Sequence, residues 1–268
     1  MGIGEKLSTG NISSASFRQV FLLFVLIIVS YGFFTIFFRN SSNITISIND
    51  ITVLLFNIIT LVILFFAFQH SQSYGKGYYH AWLVFFISQS FWVGGDLLWL
   101  IWGYNLIYQS ILSFTYLFFI FKTVFFCLGL HLIPKPHVDI LNRYRRVIEI
   151  GMALVTISMF FWSFLILPFT RMSPVNSFNS LVISLNFLSL FALMFFTISL
   201  FVFYTGNLKK GPTLYLIVCA IFQVVASVTY VYEYILNLYP AGGLENIFWI
   251  SASLSLALAG LVQIRCHP

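Results

Sequence analysis

The stretch ITVLLFNIITLVILFFAF, residues 51–68, is eighteen residues long and contains no Asp, Glu, Lys or Arg. As an α-helix it would be about 27 Å long, close to the ~30 Å thickness of the hydrocarbon core of a membrane. It therefore predicts a transmembrane helix, and seven further stretches are similarly long and predominantly apolar. The eight predicted spans are Phe17 to Phe38, Ile51 to Phe68, His80 to Trp102, Ser110 to Leu132, Val147 to Leu167, Phe178 to Tyr204, Pro212 to Asn237 and Asn246 to Ile264.

The composition of the whole chain agrees with these spans. Of 268 residues, 60% are hydrophobic and only 7% are charged, and the mean hydropathy is +0.97. A water-soluble domain carries about a quarter charged residues. The net charge of +6 could suggest a nucleic-acid partner, but the Lys and Arg residues are scattered in short connections and form no basic face. The sequence therefore predicts an all-α integral membrane protein that does not bind nucleic acid.

The distribution of Lys and Arg predicts the orientation of the spans. Two of the thirteen, Arg39 and Arg171, fall on one side of the membrane, and Lys122 falls inside a span. The other ten fall on the opposite side: Lys6, Arg18, Lys76, Lys135, Arg143, Arg145, Arg146, Lys209, Lys210 and Arg265. We therefore expect both termini in the cytoplasm and the chain in the cell membrane, an arrangement that requires an even number of spans.

The two halves of the chain match weakly at an offset of 131 residues, which places Asp96 on Ser227 and Gly129 on Gly260. Because each half would hold four spans, repeats over residues 1–140 and 141–268 would share one orientation and be parallel. Chance alignment of apolar helices explains the match equally well. In either case residues 1–268 form a single transmembrane domain, with no soluble domain.

Charges inside the predicted spans indicate where a site would lie, since each costs at least ~2.5 kcal/mol at mid-membrane. Asp96 and Glu233 lie about 9 and 6 Å below the outer boundary, counted at 1.5 Å per residue, and Lys122 lies near the middle of span four. Aromatic residues cluster at the same level. We therefore predict an outward-facing ligand-binding pocket formed by Asp96, Trp99, Trp102, Lys122, Tyr230, Glu233 and Tyr234.

Ordinary structural roles compete with this prediction. Trp and Tyr are enriched at every membrane interface, and an acid near a helix end can reach the water at the headgroups. The pair Gly94-Gly95 allows another helix to approach Asp96 closely, as small residues do in membrane packing. The Lys122 side chain could reach Asp96 only by extending toward the outer side of the membrane. Such a pair could act as a structural salt bridge or as a proton or ligand relay.

Signatures of known chemistry are missing from the sequence. It contains no phosphate-binding Gly-rich loop, no nucleophile elbow and no His-Glu-x-x-His. The histidines are not spaced as paired ligands, and Cys127 and Cys219 lie far apart within apolar runs. We expect no catalytic residues, no metal site, no disulfide and no cofactor.

One part of the sequence is similar to a known class of module. The relevant runs are Ala81-Trp82, Phe91-Trp92-Val93-Gly94-Gly95-Asp96-Leu97-Leu98-Trp99, Leu128-Gly129-Leu130 and Ile133-Pro134, with a later stretch from Ala226 to Leu261. They resemble the multi-span sensor modules at the N-terminus of many prokaryotic diguanylate cyclases and histidine kinases. The resemblance implies a sensory input region with Asp96 as its distinctive polar position. In those proteins a signalling domain follows the last span, whereas this chain stops four residues after Ile264.

We therefore expect a non-enzymatic, sensor-like membrane module without its own output domain. It would perceive a small or lipophilic ligand, or the state of the membrane, and its partners would be membrane lipids and a separate signalling protein or a second copy of the chain. Two alternatives remain open. One is a membrane-embedded lipid hydrolase with Asp96 and Glu233 as acid and base. The other is a small-solute or ion transporter with Asp96, Lys122 and Glu233 as a charge pathway.

Overall fold

The structure is a computed structural model that describes residues 14–37, 43–74, 76–102, 109–133, 177–204, 211–235 and 245–266, together with 148, 150–152, 155, 158 and 159. Within these residues the fold is all-helical, as the sequence predicts. The helices are α1 (Ser14–Phe37), α2 (Asn43–Ser71), α3 (Lys76–Trp102), α4 (Gln109–Leu132), α5 (Ser177–Tyr204), α6 (Thr213–Ile235) and α7 (Glu245–Cys266). A short 3-10 turn, Gln72–Tyr74, joins α2 to α3.

Six of these helices, all except α5, contain stretches long and apolar enough to cross a membrane. Such helices are consistent with a multi-pass membrane protein. The seven described helices correspond to seven of the eight predicted spans. The remaining predicted span, Val147 to Leu167, lies largely outside the described residues, although those described within it, such as Ile150 and Met152, are helical.

Six helices close into a ring. In chain order α2 packs on α3, α3 on α4, α4 on α5, α5 on α6 and α6 on α7, and α7 returns to pack on α2. Helix α1 packs outside the ring against α7. The ring brings the inner faces of α2, α3, α4 and α7 together, and this is where most of the buried polar side chains lie.

Helix α7 is the most deeply buried of the six apolar helices. Eleven consecutive residues, from Ile250 to Gly260, are buried. Most of them are Ser, Ala or Gly, and small residues let neighbouring helices approach from every side. At Gly260 an added Cβ would lie 3.0 Å from the Ile63 Cγ2 methyl of α2.

The α3–α4 hairpin packs by a different device, in which aromatic rings cover glycines. An added Cβ at Gly94 would lie 3.0 Å from the Phe118 ring, and one at Gly95 would lie 2.8 Å from the Phe119 ring. On the second helix of the hairpin, α4, Gly129 lies under the ring of Phe85 of α3. The glycine pair beside Asp96 therefore admits α4, as the sequence predicts for a close helix approach.

Candidate functional site

One face of α3 carries the polar residues of the site. Ser88 and Gln89 lie four and three residues before Trp92, and Asp96 lies four residues after it, the spacing that puts side chains on one face of a helix. Ser88, Gln89 and Trp92 are buried, while Asp96 is partly exposed by its accessible surface. This face turns toward α2, α4 and α7, so its polar groups meet protein.

Asn57 of α2 connects two of these residues. Its side-chain Nδ2 donates a hydrogen bond to Oδ2 of Asp96 over 2.6 Å. Its Oδ1 accepts a hydrogen bond from Nε2 of Gln89 over 2.9 Å, and the same Gln89 nitrogen reaches the Asn57 backbone oxygen at 3.1 Å. Asn57 is 0% exposed, so an amide buried in the ring holds the carboxylate through a chain that runs from Gln89 to Asn57 to Asp96.

Lys122 of α4 lies in the same polar core and is only 3% exposed. Its Nζ lies 3.7 Å from the centre of the Trp92 ring of α3 and 4.9 Å from the centre of the Trp249 ring of α7. The two rings meet edge to face, with centroids 5.6 Å apart. The negative faces of aromatic rings attract a cation and partly replace the water that it loses on burial. Lys122 therefore links three helices through one ammonium group.

The direction of the Lys122 side chain follows from helix geometry. The Cα–Cβ bonds of a helix tilt toward its N-terminus, so Lys122 points toward the end of the bundle at which α4 begins and α3 ends. Asp96 lies four residues beyond Trp92 on α3, toward the same end. The ammonium and the Asp96 carboxylate interact electrostatically, but the ammonium contacts the two Trp rings and the carboxylate contacts Asn57.

Two further hydrogen bonds fix the helices around this core. The Thr60 hydroxyl of α2 lies 2.7 Å from the Ser253 hydroxyl of α7. The Ser88 hydroxyl of α3 donates to the backbone oxygen of Lys122 over 2.7 Å. Both bonds are buried and join different helices, so they set the spacing of the helices that carry Asp96, Lys122 and Trp249.

Some polar atoms of the core have no hydrogen-bond partner within the described part of the chain. Gln89 Oε1 is one, and Oε1 of Gln223 on α6 is another. Gln223 is buried and uses its nitrogen to reach the Cys219 sulfur, at 3.3 Å. A buried carbonyl oxygen without a donor is costly, so each of these two oxygens is an acceptor that a small polar guest could satisfy.

The structure describes the side chains of only some of the other predicted site residues. Trp99 lies one turn after Asp96 and is partly buried. Tyr230 of α6 lies with its hydroxyl 2.6 Å from that of Tyr116 on α4. The backbones of Trp102, Glu233 and Tyr234 are helical, but their side chains lie outside the described part of the structure. The structure thus brings Asp96 and Lys122 into one polar core and places Tyr230 in a separate contact between α4 and α6.

Sequence reasoning missed Asn57, Gln89, Trp92 and Trp249. The signal for Gln89 was its position seven residues before Asp96, on the same face of α3. The signal for Asn57 was an amide inside an apolar span, three residues before Thr60. Trp92 was part of the quoted motif but not of the predicted pocket, and nothing in the sequence pairs it with Trp249.

Over the described residues, no three or more His, Cys, Asp or Glu side chains are grouped so as to hold a metal ion. Comparison of the chain with protein-family models, with curated proteins and with solved structures finds no match. The function therefore has to be argued from the polar core alone.

Proposed function

We propose that this chain is an integral membrane sensor-like module, non-enzymatic, which responds to a small or lipophilic ligand or to the state of the membrane through the polar core around Asp96. The observation that supports it most is the Lys122 ammonium, which contacts Trp92 of α3 and Trp249 of α7 at once. A ligand that displaced the ammonium from either ring would alter the contact between α4 and the other two helices. A bistable contact between helices is what a membrane switch requires.

The orientation and number of spans belong to the same proposal. We propose eight spans in the cell membrane, with both termini in the cytoplasm, on the ten-to-two distribution of Lys and Arg. A reporter that is active only in the cytoplasm, fused to either terminus, should be active in both fusions. An inactive C-terminal fusion beside an active N-terminal one would indicate an odd number of spans.

The functional test compares wild type with Asp96→Asn in three assays on the same purified preparations. We expect a separate signalling protein, such as a kinase or cyclase, to co-purify with wild type from native membranes and its association or activity to change in Asp96→Asn. Lipid turnover in vesicles and solute uptake into proteoliposomes should be at background for both proteins. Ser90→Ala is the matched control, since Ser90 is exposed on α3 and bonds only its own helix in the structure.

Transport is the second candidate, and the hydrogen-bonded chain from Gln89 through Asn57 to Asp96 favours it. Buried polar residues that connect within a bundle mark ion or proton paths in many membrane proteins. Uptake into proteoliposomes that Asp96→Asn abolished would establish transport and reject the sensor proposal. Lipid turnover abolished by the same change would instead establish the hydrolase, for which Glu233 would have to act with Asp96.

A further inference from the structure

A second polar cluster lies at the end of the bundle where α2 and α7 begin. Inter-helix contacts define the register of these two helices. Ser253 contacts Phe56 and Thr60, and Gly260 contacts Ile63 and Ala67, so contacting residues differ by 193 to 197 positions throughout. The two helices therefore run parallel in constant register. Extended toward the start of α7, the same register places Glu245 beside residues 48–52 of α2.

Asn49 occupies the inward face of α2 at this level. Residues 49, 53, 56, 60, 63 and 67 follow one another at intervals of three and four, and the members after Asn49 all pack within the bundle. Asn49 is 0% exposed, and neither its amide oxygen nor its amide nitrogen has a hydrogen-bond partner among the residues that the structure describes. A fully buried amide with both ends unpaired costs stability unless a guest satisfies it.

Two carboxylates lie at the same end of the bundle as Asn49. Asp50 directly follows Asn49 on α2, and the register places Glu245 beside residues 48–52, in agreement with the electrostatic interaction of both acids with Tyr31 of α1. Asp50 also interacts electrostatically with Asp96. Glu245 is 4% exposed, so its charge is shielded from water. The cluster thus combines two acidic groups with the amide oxygen of Asn49.

We propose that Asn49, Asp50 and Glu245 form a binding site for a hard cation of the Ca²⁺ class. Carboxylate and amide oxygens are the ligands that Ca²⁺ takes, and two carboxylates match its charge. The absence of any thiol or imidazole in the cluster argues against a softer transition metal. A bound cation would satisfy the Asn49 oxygen and would join α2 to α7 at the end of the bundle. This inference does not depend on the proposed sensor function.

The test is calcium titration of the full chain, purified in detergent after treatment with a chelator, with thermal unfolding as the readout at constant ionic strength. We expect CaCl₂ to raise the unfolding temperature of wild type in a saturable manner, because a ligand that binds only the folded state stabilises it. Asn49→Leu should weaken the apparent affinity about tenfold or more, the scale of losing a positioned metal-site group.

Gln263→Leu is the matched control. Gln263 on α7 is also 0% exposed, and its two amide atoms have no partner among the described residues, but it lies near the opposite end of the helix. The control variant should keep the full calcium response. Equal loss of the response in both variants would overturn the site, as would a wild-type protein that shows no saturable shift. A response to NaCl but not to CaCl₂ would overturn the Ca²⁺ assignment.

Glu245 also has an ordinary role to separate from this one, since an acid in the first turn stabilises a helix N-terminus. In that role alone, Glu245→Gln would lower stability equally with and without calcium. We expect the loss to be larger with calcium. If the variants fail to fold, Tb³⁺ can be used as a probe of the wild-type protein. We expect nearby aromatic rings to excite the luminescence of bound Tb³⁺ and Ca²⁺ to displace it. Luminescence that Ca²⁺ cannot displace, or none at all, would reject the site.

Discussion

The α3–α4 and α6–α7 hairpins pack through different kinds of side chain. In α3–α4, large rings cover glycines, as Phe85 covers Gly129. In α6–α7, small residues such as Ala220 of α6 and Ala257 of α7 are buried instead. The first device fixes one partner ring over each glycine, whereas the second lets α7 contact α1, α2 and α6 together. The difference indicates that rings over glycines hold α3 and α4 to each other, whereas small residues let α7 support several helices at once.

Positions of the two hairpins that are 131 residues apart also differ in their packing. Gly129 and Gly260 correspond, yet Gly129 packs on Phe85 within its own hairpin and Gly260 packs on Ile63 of α2. Lys122 corresponds to Ser253, so one hairpin carries the buried charge where the other carries a hydroxyl. If the halves are repeats, they keep the helix arrangement and differ in chemistry.

The largest expected effect separates the two glycines. An added Cβ at Gly129 would lie 2.6 Å from the Phe85 ring, and that ring is held between Trp82 and Phe126. We expect Gly129→Ala to lower the free energy of unfolding by about 2–3 kcal/mol through overpacking. Gly260→Ala, at 3.0 Å from one methyl group, should cost about 1 kcal/mol or less. Denaturant unfolding in micelles measures both, and equal losses would contradict the ring-over-glycine packing.

The second prediction separates charge from volume at Lys122. Lys122→Ala leaves a gap between Trp92 and Trp249, and we expect it to lower the unfolding free energy by about 2 kcal/mol. Lys122→Met fills the gap without the charge, so it should stay within about 1 kcal/mol of wild type, since replacing a buried charge by a hydrophobic group of similar size is often neutral. If both variants lost the same stability, the ammonium rather than the packing would hold the helices.

These examples also show how far sequence reasoning reaches. Apolar stretches locate helices well because hydrophobic length is a property of the segment itself. Helix α2 nevertheless begins at Asn43 rather than at the predicted Ile51. The polar residues before Ile51 reduce local hydropathy, whereas Asn49 is buried in the bundle, and its burial depends on which helices are its neighbours.

In the candidate site, the charged residues could likewise be predicted from the sequence, whereas their contacts could not. Asp96 and Lys122 could be predicted because a charge inside a span is costly and conspicuous. Their contacts could not, because Asn57 and Trp249 lie 39 and 127 positions away along the chain and meet them only when α2 and α7 close the ring. Lys122 and Asp96 lie in one polar core, but α7 supplies Trp249 to the ammonium and α2 supplies Asn57 to the carboxylate, so these partners come from outside the α3–α4 hairpin.

The third prediction tests the support that α7 gives to α2. Thr60→Val removes the hydroxyl that bonds Ser253 and keeps the side-chain shape. We expect a loss of about 1 kcal/mol, since buried bonds between membrane helices contribute ~0.6 kcal/mol on average and up to ~1.7. Thr52→Val is the control, because the exposed Thr52 hydroxyl bonds only the Ile48 backbone oxygen of its own helix in the structure. A loss at Thr52 as large as that at Thr60 would remove the case for a bond between α2 and α7.

The smallest effect concerns the one hydroxyl pair that joins the two hairpins among the described residues, Tyr116 of α4 and Tyr230 of α6. Tyr116→Phe should lower the unfolding free energy by about 0.6 kcal/mol, and Tyr230→Phe by a similar amount. Because both changes remove the same bond, the double variant should lose little more than either single one. Tyr232→Phe, on the exposed side of α6, is the control and should leave stability unchanged. Additive losses would show that the two hydroxyls act separately and would contradict a bond between them.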